Sequence, residues 1–476
     1  MKPDPQPFYV GGEWRGRDAR DPQSIVNPFD GSLVGRCALA GRDDIEDAVL
    51  RAQQGFIRSR DLQSYERSEI LQSIAHRIRE RKEEIARLIT AEAGKPIRFS
   101  EIEVDRAVLT FSLAGEEAKR IEGEVVPLDL APHSRDRVGI VRRFPIGIIL
   151  AITPFNFPLN LVAHKVAPAM AAGNAVLLKP APQAPLTSLL LAAIVGESGY
   201  PKEAFSVLPC GNDIAGALVE DERIAMLSFT GSPAVGWMLK SKSGRKKVVL
   251  ELGGNAGVIV DRSADVGAVV DRIAAGAFMY AGQVCIKVQR IFVHQDLYDE
   301  FRDRLCAAAR SIHVGNPSDP DTVVGPLIDD AAGARVEAWI QEAVTAGAHV
   351  LEGGRRSGRM ITPTVLEDVD RKSKVYCSEI FGPVVTLHRF STIEEAVNGV
   401  NDSPFGLQAG VYSTDMRSIL FAYRALDVGA VVVNDTPAFR VDNMPYGGVK
   451  ASGFGREGVR YAIETMTEPK LLVVQG

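Results

Sequence analysis

The first part of the chain, from about residue 43 to about residue 122, shows helical periodicity. Apolar residues recur there at intervals of three and four positions, with charged residues between them. This spacing predicts amphipathic helices. The next segment, residues 124–144, contains two short β-rich runs, EVVPLDL and RVGIVRRF, on either side of the polar APHSRD. Two such runs predict a hairpin or a projecting arm.

Short apolar runs alternate with amphipathic segments between residues 146 and 260. The runs predicted to be strands are GIILAIT, NAVLLK, AFSVL, IAMLSF, KVVLEL and AGVIV. Helices are expected to start near Pro158, Ala184, Asn212 and Pro233. Parallel strands need crossover connections, so this alternation predicts a parallel, doubly wound sheet, at whose strand ends nucleotides commonly bind. A second α/β stretch follows from about residue 265 to 435, and the chain closes with the strand-like LLVV.

The stretch from Phe144 to Ala163 has twenty residues without a formal charge, enough to span a bilayer. Three prolines and two asparagines interrupt it, so a buried strand, a turn and a helix start are expected instead. The first residues, MKPDPQPFYV, contain no apolar run of the kind found in secretory signals.

Length and charge narrow the class of protein further. The 476 residues suggest about three compact units. With 55 basic and 60 acidic residues the net charge is −5, which offers no electrostatic footprint for nucleic acid or an anionic membrane. The five cysteines are widely spaced without a CxxC pair. This pattern favours free thiols in a reducing cytoplasm.

Two segments at predicted strand ends could bind an anionic ligand. In LSFTGSPAVG a strand runs into Thr230-Gly231-Ser232, and the following Pro233 suits the first turn of a helix. Such a junction aims free backbone N–H groups at an anion, although it also serves as an ordinary strand-to-helix turn. Lys179 follows another strand, where it could reach a ribose or remain solvated.

Three further residues could take part in catalysis. Cys285 lies among small, apolar and basic residues in AGQVCIKVQR; it could be a nucleophile or buried packing. Glu251 lies inside an apolar strand, where a carboxylate has a raised pKa or a salt-bridge partner. Asn156 in TPFNFP could donate to an oxyanion or satisfy the local backbone.

Taken in order, TPFNFP, KPA, FTGS, ELGGN, GQVC and EIFGPV resemble the motifs of the aldehyde dehydrogenase superfamily, over about residues 9–475. The resemblance implies that Cys285 attacks an aldehyde carbonyl, with a few per cent of the thiol ionised at neutral pH. It implies that Asn156 and the Cys285 backbone N–H hold the oxyanion, and that hydride transfer to nicotinamide leaves a thioester. Glu251 would then activate the hydrolytic water, and Lys165 with Glu457 would form a proton exit. No metal is expected.

The resemblance also implies a set of residues around the cofactor, NAD or NADP. These residues are Thr153, Phe155, Lys179, Gly231, Ser232, Glu379 and Phe381. Strict NAD users in the family often carry a glutamate three residues after the lysine, where it repels a 2′-phosphate. Pro182 occupies that position here, so NADP is expected to be accepted.

A substrate pocket follows from the same resemblance. Its expected lining is Arg106, Phe157, Leu161, His164, Val284, Ile286, Phe439 and Arg440. Arg106 and His164 suggest a small polar or anionic aldehyde, of the lactaldehyde or succinate-semialdehyde type, unless both are engaged in structural pairs. Val284 next to the nucleophile argues mildly against phosphorylated or phosphonate aldehydes, but a non-phosphorylating glyceraldehyde-3-phosphate dehydrogenase stays an alternative. So does an acylating, coenzyme A-dependent enzyme, which generally lacks the water-activating glutamate.

The expected fold class is α/β of the aldehyde dehydrogenase type, with three units. A Rossmann-type dinucleotide-binding domain is expected over residues 1–123 and 146–253, and an α/β catalytic domain over residues 254–453. A β oligomerisation arm is expected over residues 124–145 and 454–476. Exposed strands are a liability for a monomer. A cytoplasmic homodimer or homotetramer is therefore expected, with no nucleic acid or membrane partner.

Overall fold

The computed structural model describes residues 5–476, and its amino-terminal region combines short strands with long helices. The strands are β1 Phe8–Val10, β2 Glu13–Arg15, β3 Gln23–Val26 and β4 Leu33–Cys37. The helices are α1 Arg42–Asp61, α2 Ser64–Glu80, α3 Lys82–Ala93 and α4 Ile97–Glu117. Each helix buries one apolar face, including Ala48 of α1, Ile74 of α2, Ile89 of α3 and Phe111 of α4. The predicted helical periodicity is confirmed.

The next elements form an arm and then a regular alternation of strands and helices. The arm strands are β5 Glu124–Pro127 and β6 Arg137–Pro145. The alternating strands are β7 Ile148–Ile152, β8 Ala175–Lys179, β9 Phe205–Val207, β10 Ile224–Thr230 and β11 Lys247–Glu251. The helices between them are α5 Asn160–Ala172, α6 Leu186–Gly196, α7 Asn212–Glu220 and α8 Pro233–Lys242.

The second half of the chain repeats the mixture of strands and helices. Its strands are β12 Ala256–Val260, β13 Val288–His294, β14 His349–Glu352, β15 Arg356–Ser357, β16 Met360–Ile361, β17 Thr364–Glu367, β18 Val384–Phe390, β19 Phe405–Gly406, β20 Gln408–Tyr412, β21 Ala430–Val433, β22 Val449–Lys450, β23 Gly453–Phe454 and β24 Thr467–Gln475. Its helices are α9 Val266–Phe278, α10 Tyr298–Ser311, α11 Asp330–Thr345, α12 Lys374–Cys377, α13 Ile393–Asn401, α14 Met416–Ala425 and α15 Val459–Thr465.

Two large sheets organise these elements. The first has eight strands in the order β2-β1-β9-β8-β7-β10-β11-β23, and its five central strands, β9 to β11, are parallel. The second has seven strands in the order β14-β17-β18-β13-β12-β20-β21 and is parallel except at β14. Strands β7 and β8 in the middle of the first sheet are buried along their whole length, as expected for a parallel sheet covered by helices. The predicted parallel α/β fold class is confirmed.

The arm is a three-stranded antiparallel sheet in the order β24-β6-β5. Strand β24 pairs with β6 along nine residues, from Thr467 opposite Pro145 to Gln475 opposite Arg137. The predicted hairpin and terminal strand therefore form one sheet. The uncharged stretch from Phe144 to Ala163 is a buried strand, a turn and a helix start, as expected. Between residues 5 and 476, none of the helices is both long and apolar enough to cross a bilayer.

Candidate active site

The carboxyl ends of four neighbouring strands bring the predicted site residues to one edge of the first sheet. Ile152 at the end of β7 is in register with Lys179 on one side and with Phe229 on the other. Thr230 at the end of β10 is in register with Glu251 at the end of β11. Because parallel strands end at a common edge, motifs far apart in the chain converge here.

The turn after β7 places Asn156 against the segment that carries Cys285. The Asn156 Nδ2 donates to the backbone oxygen of Gln283 at 2.9 Å, while its Oδ1 is buried without a hydrogen-bond partner. The turn is held from behind by Lys95, whose ammonium donates to the backbone oxygen of Asn156 at 3.0 Å and to Glu103 at 2.6 Å. Burial lowers the pKa of Lys95 to about 8. This ion pair positions the amide.

Cys285 lies in the connection between α9 and β13, in a loop with unusual backbone geometry. Tyr280 and Ala281 both have φ of 52°, and Gly282 has φ of 69°. A side chain at Gly282 would also collide with the backbone oxygen of Gly382. A second glycine, Gly254, lies so close to the backbone oxygen of Cys285 that a Cβ there would collide with it. The ELGGN and GQVC motifs therefore pack directly on each other.

The side chain of Cys285 forms a hydrogen bond with Tyr446, at 3.1 Å between the sulfur and the hydroxyl oxygen. Burial raises the pKa of the Cys285 thiol to about 11, although the Tyr446 hydroxyl and the charge of Arg440 both lower it. The expectation that a few per cent of this thiol is ionised at neutral pH is therefore wrong for this state of the site. A buried sulfur loses the hydration that stabilises a thiolate.

Glu251 is buried at the same edge, and both its carboxylate oxygens lack a hydrogen-bond partner. Burial, and then the neighbouring carboxylate of Glu457, raise its pKa well above the ordinary value. The salt-bridge alternative for Glu251 does not hold among residues 5–476. A Cβ on Gly447 would lie 2.9 Å from its Oε1, so the carboxyl group lies beside the glycine that follows Tyr446. A carboxyl group with a raised pKa suits acid–base work.

Lys165 and Glu457 form a buried ion pair behind Glu251. The Lys165 ammonium lies 2.6 Å from the Glu457 carboxylate and donates to the Ser228 hydroxyl at 3.1 Å. Burial favours the neutral carboxyl group, but the charge of Lys165 outweighs it and lowers the pKa of Glu457. The structure thus places an ionised carboxylate next to one whose pKa is raised.

Lys179, Gly231 and Ser232 lie where a dinucleotide would be expected at this edge. The Lys179 side chain is buried, burial lowers its pKa, and within residues 5–476 its ammonium forms no hydrogen bond. The Thr230 hydroxyl is likewise buried without a partner. Ser232 is the N-cap residue of α8, and a Cβ on Gly231 would lie 2.6 Å from the ring of Phe229. Thr153 lies at the same strand ends, its N–H bonded to the Lys179 carbonyl at 3.2 Å.

Glu379, Phe381 and Phe155 lie on the other side of the ELGGN loop. The Glu379 carboxylate accepts from the Gly254 N–H at 3.2 Å, and burial raises its pKa to about 7. A side chain at Gly253 would collide with this carboxylate. The rings of Phe155 and Phe381 meet edge to face with centroids 6.1 Å apart. Glu379 thus packs on the glycine pair of the ELGGN motif, and Phe155 contacts Phe381.

The two basic residues expected in the substrate pocket, Arg106 and His164, both pair with Asp442. Arg106 forms two hydrogen bonds with this carboxylate, at 2.7 and 3.3 Å, and His164 Nε2 lies 2.8 Å from it. Burial, and then the charge of Arg440, lower the pKa of His164. The lowered pKa disfavours the charged form of His164. The geometry therefore supports the alternative in which Arg106 and His164 are engaged in structural pairs.

Arg440 lies closer to the nucleophile. Its guanidinium stacks 3.6 Å over the ring of Tyr446 and lies 3.4 Å from Glu457, and its Nε is buried without a hydrogen-bond partner. Phe157 is half-buried beneath the Lys95 ammonium. Leu161, Val284 and Ile286 are buried. Phe439 is 44% exposed, so in a single chain it covers little of the pocket it is expected to line.

Sequence reasoning missed several residues of this site. Tyr446, Asp442, Lys95 and Glu103 lack a local motif, because each acts on a partner far away in the chain. Leu407 and Tyr280, which pack with Val284 and Ile286, were missed as well. The sequence offered one signal for two of these residues. Lys95 and Glu103 are charged residues next to helix faces that are otherwise apolar and buried, which indicates a buried ion pair.

Comparison with known proteins supplies the family context for this geometry. The aldehyde dehydrogenase family profile matches residues 14–472. The chain is 43% identical over 468 residues to the 3-sulfolactaldehyde dehydrogenase of Priestia aryabhattai, covering 98% of this chain and 97% of that one.

Two of the similar solved structures each cover at least 96% of this chain. One is aldehyde dehydrogenase 21 from Physcomitrella patens in complex with the reaction product succinate, with a TM-score of 0.98 and 41% identity, covering 100% of this chain and 99% of the other. The second is a glyceraldehyde-3-phosphate dehydrogenase from Methanocaldococcus jannaschii complexed with NADP, with a TM-score of 0.92 and 38% identity, covering 96% and 100%.

Proposed function

Because the chain belongs to the aldehyde dehydrogenase family, we propose that it oxidises a small anionic aldehyde to the carboxylic acid with NAD or NADP. The observation that carries the proposal is the convergence of Cys285, Asn156 and an unpaired Glu251 at one sheet edge. These are the groups that a nucleophile, an oxyanion donor and a base require. Glu251 favours release by water over transfer to coenzyme A.

Cys285 acts as the nucleophile after its thiol loses a proton. A pKa of about 11 makes this step the first barrier, and the Tyr446 hydroxyl and the Arg440 guanidinium lower it by stabilising the thiolate. Glu251, whose pKa is raised, is suited to accept the proton. The thiolate then attacks the aldehyde carbon, and a carbon–sulfur bond forms as the carbonyl oxygen becomes an oxyanion.

Asn156 stabilises that oxyanion. Its Nδ2 carries two hydrogens, and one is bonded to the Gln283 carbonyl. The second hydrogen donates to the oxyanion together with the Cys285 backbone N–H. The Lys95–Glu103 pair keeps the amide in place without reorganisation, which is the condition for effective electrostatic catalysis.

The residues at the strand ends fit a dinucleotide. The free ammonium of Lys179 suits ribose hydroxyls, the start of α8 at Ser232 suits a pyrophosphate, and Glu379 suits the second ribose. The buried Thr230 hydroxyl without a partner is consistent with a polar ligand at this place. When bound, NAD or NADP supplies the hydride acceptor that converts the adduct on Cys285 into a thioester.

Glu251 has a second role, which is to activate the water that hydrolyses the thioester. Glu251 first passes the thiol proton to the Glu457 carboxylate, which is paired with the Lys165 ammonium. The Glu251 carboxylate, ionised again, then takes a proton from water while the water oxygen attacks the thioester carbon, and the Cys285 sulfur leaves as the thiolate. This second proton leaves by way of Glu457 in the same manner. The carboxylic acid is then free to dissociate.

The anionic character of the substrate rests on the arginines. Arg440 has a buried Nε without a partner beside the nucleophile, and Arg106 is partly exposed while bound to Asp442. A sulfonate or carboxylate accepts two hydrogen bonds from a guanidinium. The relative named for sulfolactaldehyde and the structure holding succinate both involve small anionic molecules. The Methanocaldococcus structure keeps glyceraldehyde 3-phosphate among the substrates to be tested.

The activity is tested by following absorbance at 340 nm with a panel of aldehydes and with each cofactor, without coenzyme A. The panel contains succinate semialdehyde, 3-sulfolactaldehyde, lactaldehyde, glycolaldehyde, glyceraldehyde 3-phosphate and benzaldehyde. Wild type should form NADH or NADPH, and Cys285→Ala should form none. Absence of turnover in wild type with every aldehyde, or equal turnover in Cys285→Ala, would refute the reaction.

The substrate class is tested with Arg106→Met and Arg440→Lys. Loss of a charge-assisted hydrogen bond, worth about 1.5–3 kcal/mol, should lower kcat/KM for anionic aldehydes about 10- to 100-fold more than kcat/KM for glycolaldehyde. Arg77→Met at the surface is the matched control. An equal loss for charged and neutral aldehydes, or a preference of wild type for long apolar aldehydes, would contradict the anionic substrate.

We also propose that the protein forms an oligomer through its arm. Leu471, Leu472, Val473 and Val474 of β24 are each about half exposed, which suits an interface between copies. Each chain would consist of a dinucleotide-binding domain, a catalytic domain and the arm, residues 124–145 and 454–476. The arm would link copies of the chain into a dimer or tetramer. Sedimentation that shows only 51 kDa species would contradict this assembly.

A further inference from the structure

A polar cavity lies at the edge of the first sheet opposite to the catalytic edge. It has a volume of about 390 Å³ and is bordered by the end of α1, the start of α2, the end of β6 and Ala172 at the end of α5. Strand β7 begins after this border, and its other end carries the turn with Asn156. The cavity is therefore separated from the catalytic edge by the length of the strand. Its volume is in the range of small-molecule sites.

Four arginines and one carboxylate line this cavity. They are Arg60, Arg67, Arg142, Arg143 and Asp61. Asp61 lies 3.6 Å from Arg60, so this pair is close to neutral. Within residues 5–476, the other three guanidinium groups have no carboxylate within 4.0 Å. The lining therefore carries about three uncompensated positive charges, in a protein whose net charge is −5.

Arg67 is the deepest of these side chains. Its Nε is buried without a hydrogen-bond partner, and its Nη2 has only a long contact, 3.4 Å, to the Ser64 hydroxyl. A Cβ on Gly173 would lie 3.1 Å from its Nη1, so the guanidinium rests against the backbone at the end of α5. Donors that remain unused in a buried guanidinium are costly unless an acceptor occupies the cavity.

Arg143 is fixed in the opposite wall. Its Nε donates to the Thr467 hydroxyl at 2.8 Å and its Nη2 to the Glu464 backbone oxygen at 2.6 Å. These bonds hold the guanidinium in place, and within residues 5–476 its Nη1 forms no hydrogen bond. Helix α2 begins at Ser64 on the rim, and its amino terminus adds positive potential. The cavity thus combines preorganised donors with an excess of positive charge.

We propose that this cavity binds a small phosphate dianion from solution, either inorganic phosphate or a phosphate monoester. Three guanidinium groups match the charge and the several acceptor oxygens of a phosphate better than those of a single carboxylate. The site uses no residue of the catalytic edge, so it stands independently of the proposed oxidation.

Isothermal titration with inorganic phosphate tests the site on the full chain. Arg67→Gln removes the deepest donor. Arg142→Gln removes charge with little risk to folding, because Arg142 is exposed and forms no ion pair within residues 5–476. Arg262→Gln, an exposed arginine outside the cavity, is the matched control. Phosphate should bind wild type and the control alike, and about tenfold or more weakly to both cavity variants. Circular dichroism and melting temperature check that each variant folds.

Each other outcome overturns the proposal. If wild type shows no heat of phosphate binding, the cavity does not bind phosphate. If both cavity variants show the same heat as wild type, the phosphate binds at other sites and not to these arginines. Acetate that binds as tightly as phosphate would contradict the dianion. If the variants change only the oligomeric state in sedimentation, the arginines bind an acidic segment of a second copy instead.

Discussion

The sulfur of Cys285 lies 3.1 Å from the hydroxyl oxygen of Tyr446, a residue 161 positions further along the chain. The guanidinium of Arg440 stacks on the same ring. The proposed nucleophile therefore has a hydroxyl donor and a nearby cation, both of which favour its thiolate. Burial nevertheless keeps the pKa of the thiol at about 11.

Tyr446→Phe should make the Cys285 thiol harder to ionise. The hydroxyl lowers the pKa of the thiol by donating to the thiolate, and a hydrogen bond to a charged group is worth about 1.5–3 kcal/mol. The rate of alkylation by iodoacetamide at pH 8 should fall about tenfold or more. Tyr65→Phe, at an exposed surface position, is the control. An unchanged alkylation profile would show that the hydroxyl does not stabilise the thiolate.

Glu251→Gln should separate acylation from hydrolysis. Removing a general base lowers the rate of its step about 10²- to 10⁴-fold. Stopped-flow absorbance at 340 nm should show a burst near one equivalent per site, which forms more slowly than in wild type because Glu251 also accepts the thiol proton, followed by still slower turnover. Glu220→Gln at the surface should behave as wild type. A variant with full steady-state turnover would exclude Glu251 as the water-activating base.

The pH profile of turnover supplies a second measurement on Glu251. Its pKa is raised by burial and by Glu457, so the carboxylate becomes a base only above that raised value. The kcat of wild type should therefore rise with pH through the raised pKa, and the slow turnover of Glu251→Gln should lack this rise. If kcat rises at the same pH in wild type and in Glu251→Gln, the rise reports the ionisation of a group other than Glu251.

Asp442→Asn should destabilise the fold. The carboxylate is buried between Arg106, His164 and Asn160, and breaking a buried ion pair costs about 3–5 kcal/mol. Urea unfolding at pH 7 should show a loss of about 3 kcal/mol in the free energy of unfolding. Asp105→Asn, which removes an exposed pair with Lys82, should cost less than about 1 kcal/mol.

The difference in the free energy of unfolding between wild type and Asp442→Asn should decrease at low pH. Burial favours the neutral acid, but the hydrogen bond from His164 and the charge of Arg106 prevail and lower the pKa of Asp442. Its stabilisation is complete above the ordinary pKa near 4 and is lost as the pH falls through the lowered value. The difference between wild type and Asp442→Asn should therefore shrink below pH 4. A difference that grows on acidification would contradict the ion pair.

Pro182→Glu should shift the enzyme toward NAD. Pro182 is exposed beyond Lys179, and a carboxylate there would repel a 2′-phosphate. KM for NADP should rise about tenfold or more, while KM for NAD changes little. Gln183→Glu, which adds the same charge at the next exposed position, is the control. Equal effects of both substitutions on NADP would indicate a general charge effect.

The sequence by itself was sufficient for the alternation of strands and helices and for the family. Apolar periodicity is a local property, so the helices of residues 42–117 and the strands β7 to β11 could be predicted. The motifs around Asn156, Glu251 and Cys285 are also short and local. Because parallel strands end at a common edge, their convergence followed from the predicted fold class.

Tertiary structure alone decided the charge states and partners at the site. Burial and long-range contacts set the pKa of Cys285, the pairing of His164 with Asp442 and the hydroxyl of Tyr446 beside the sulfur. The arginine-lined cavity is likewise assembled from five separate segments of the chain. These properties depend on desolvation and on distances between groups far apart in the chain, and neither is encoded in the spacing of residues along a strand or helix.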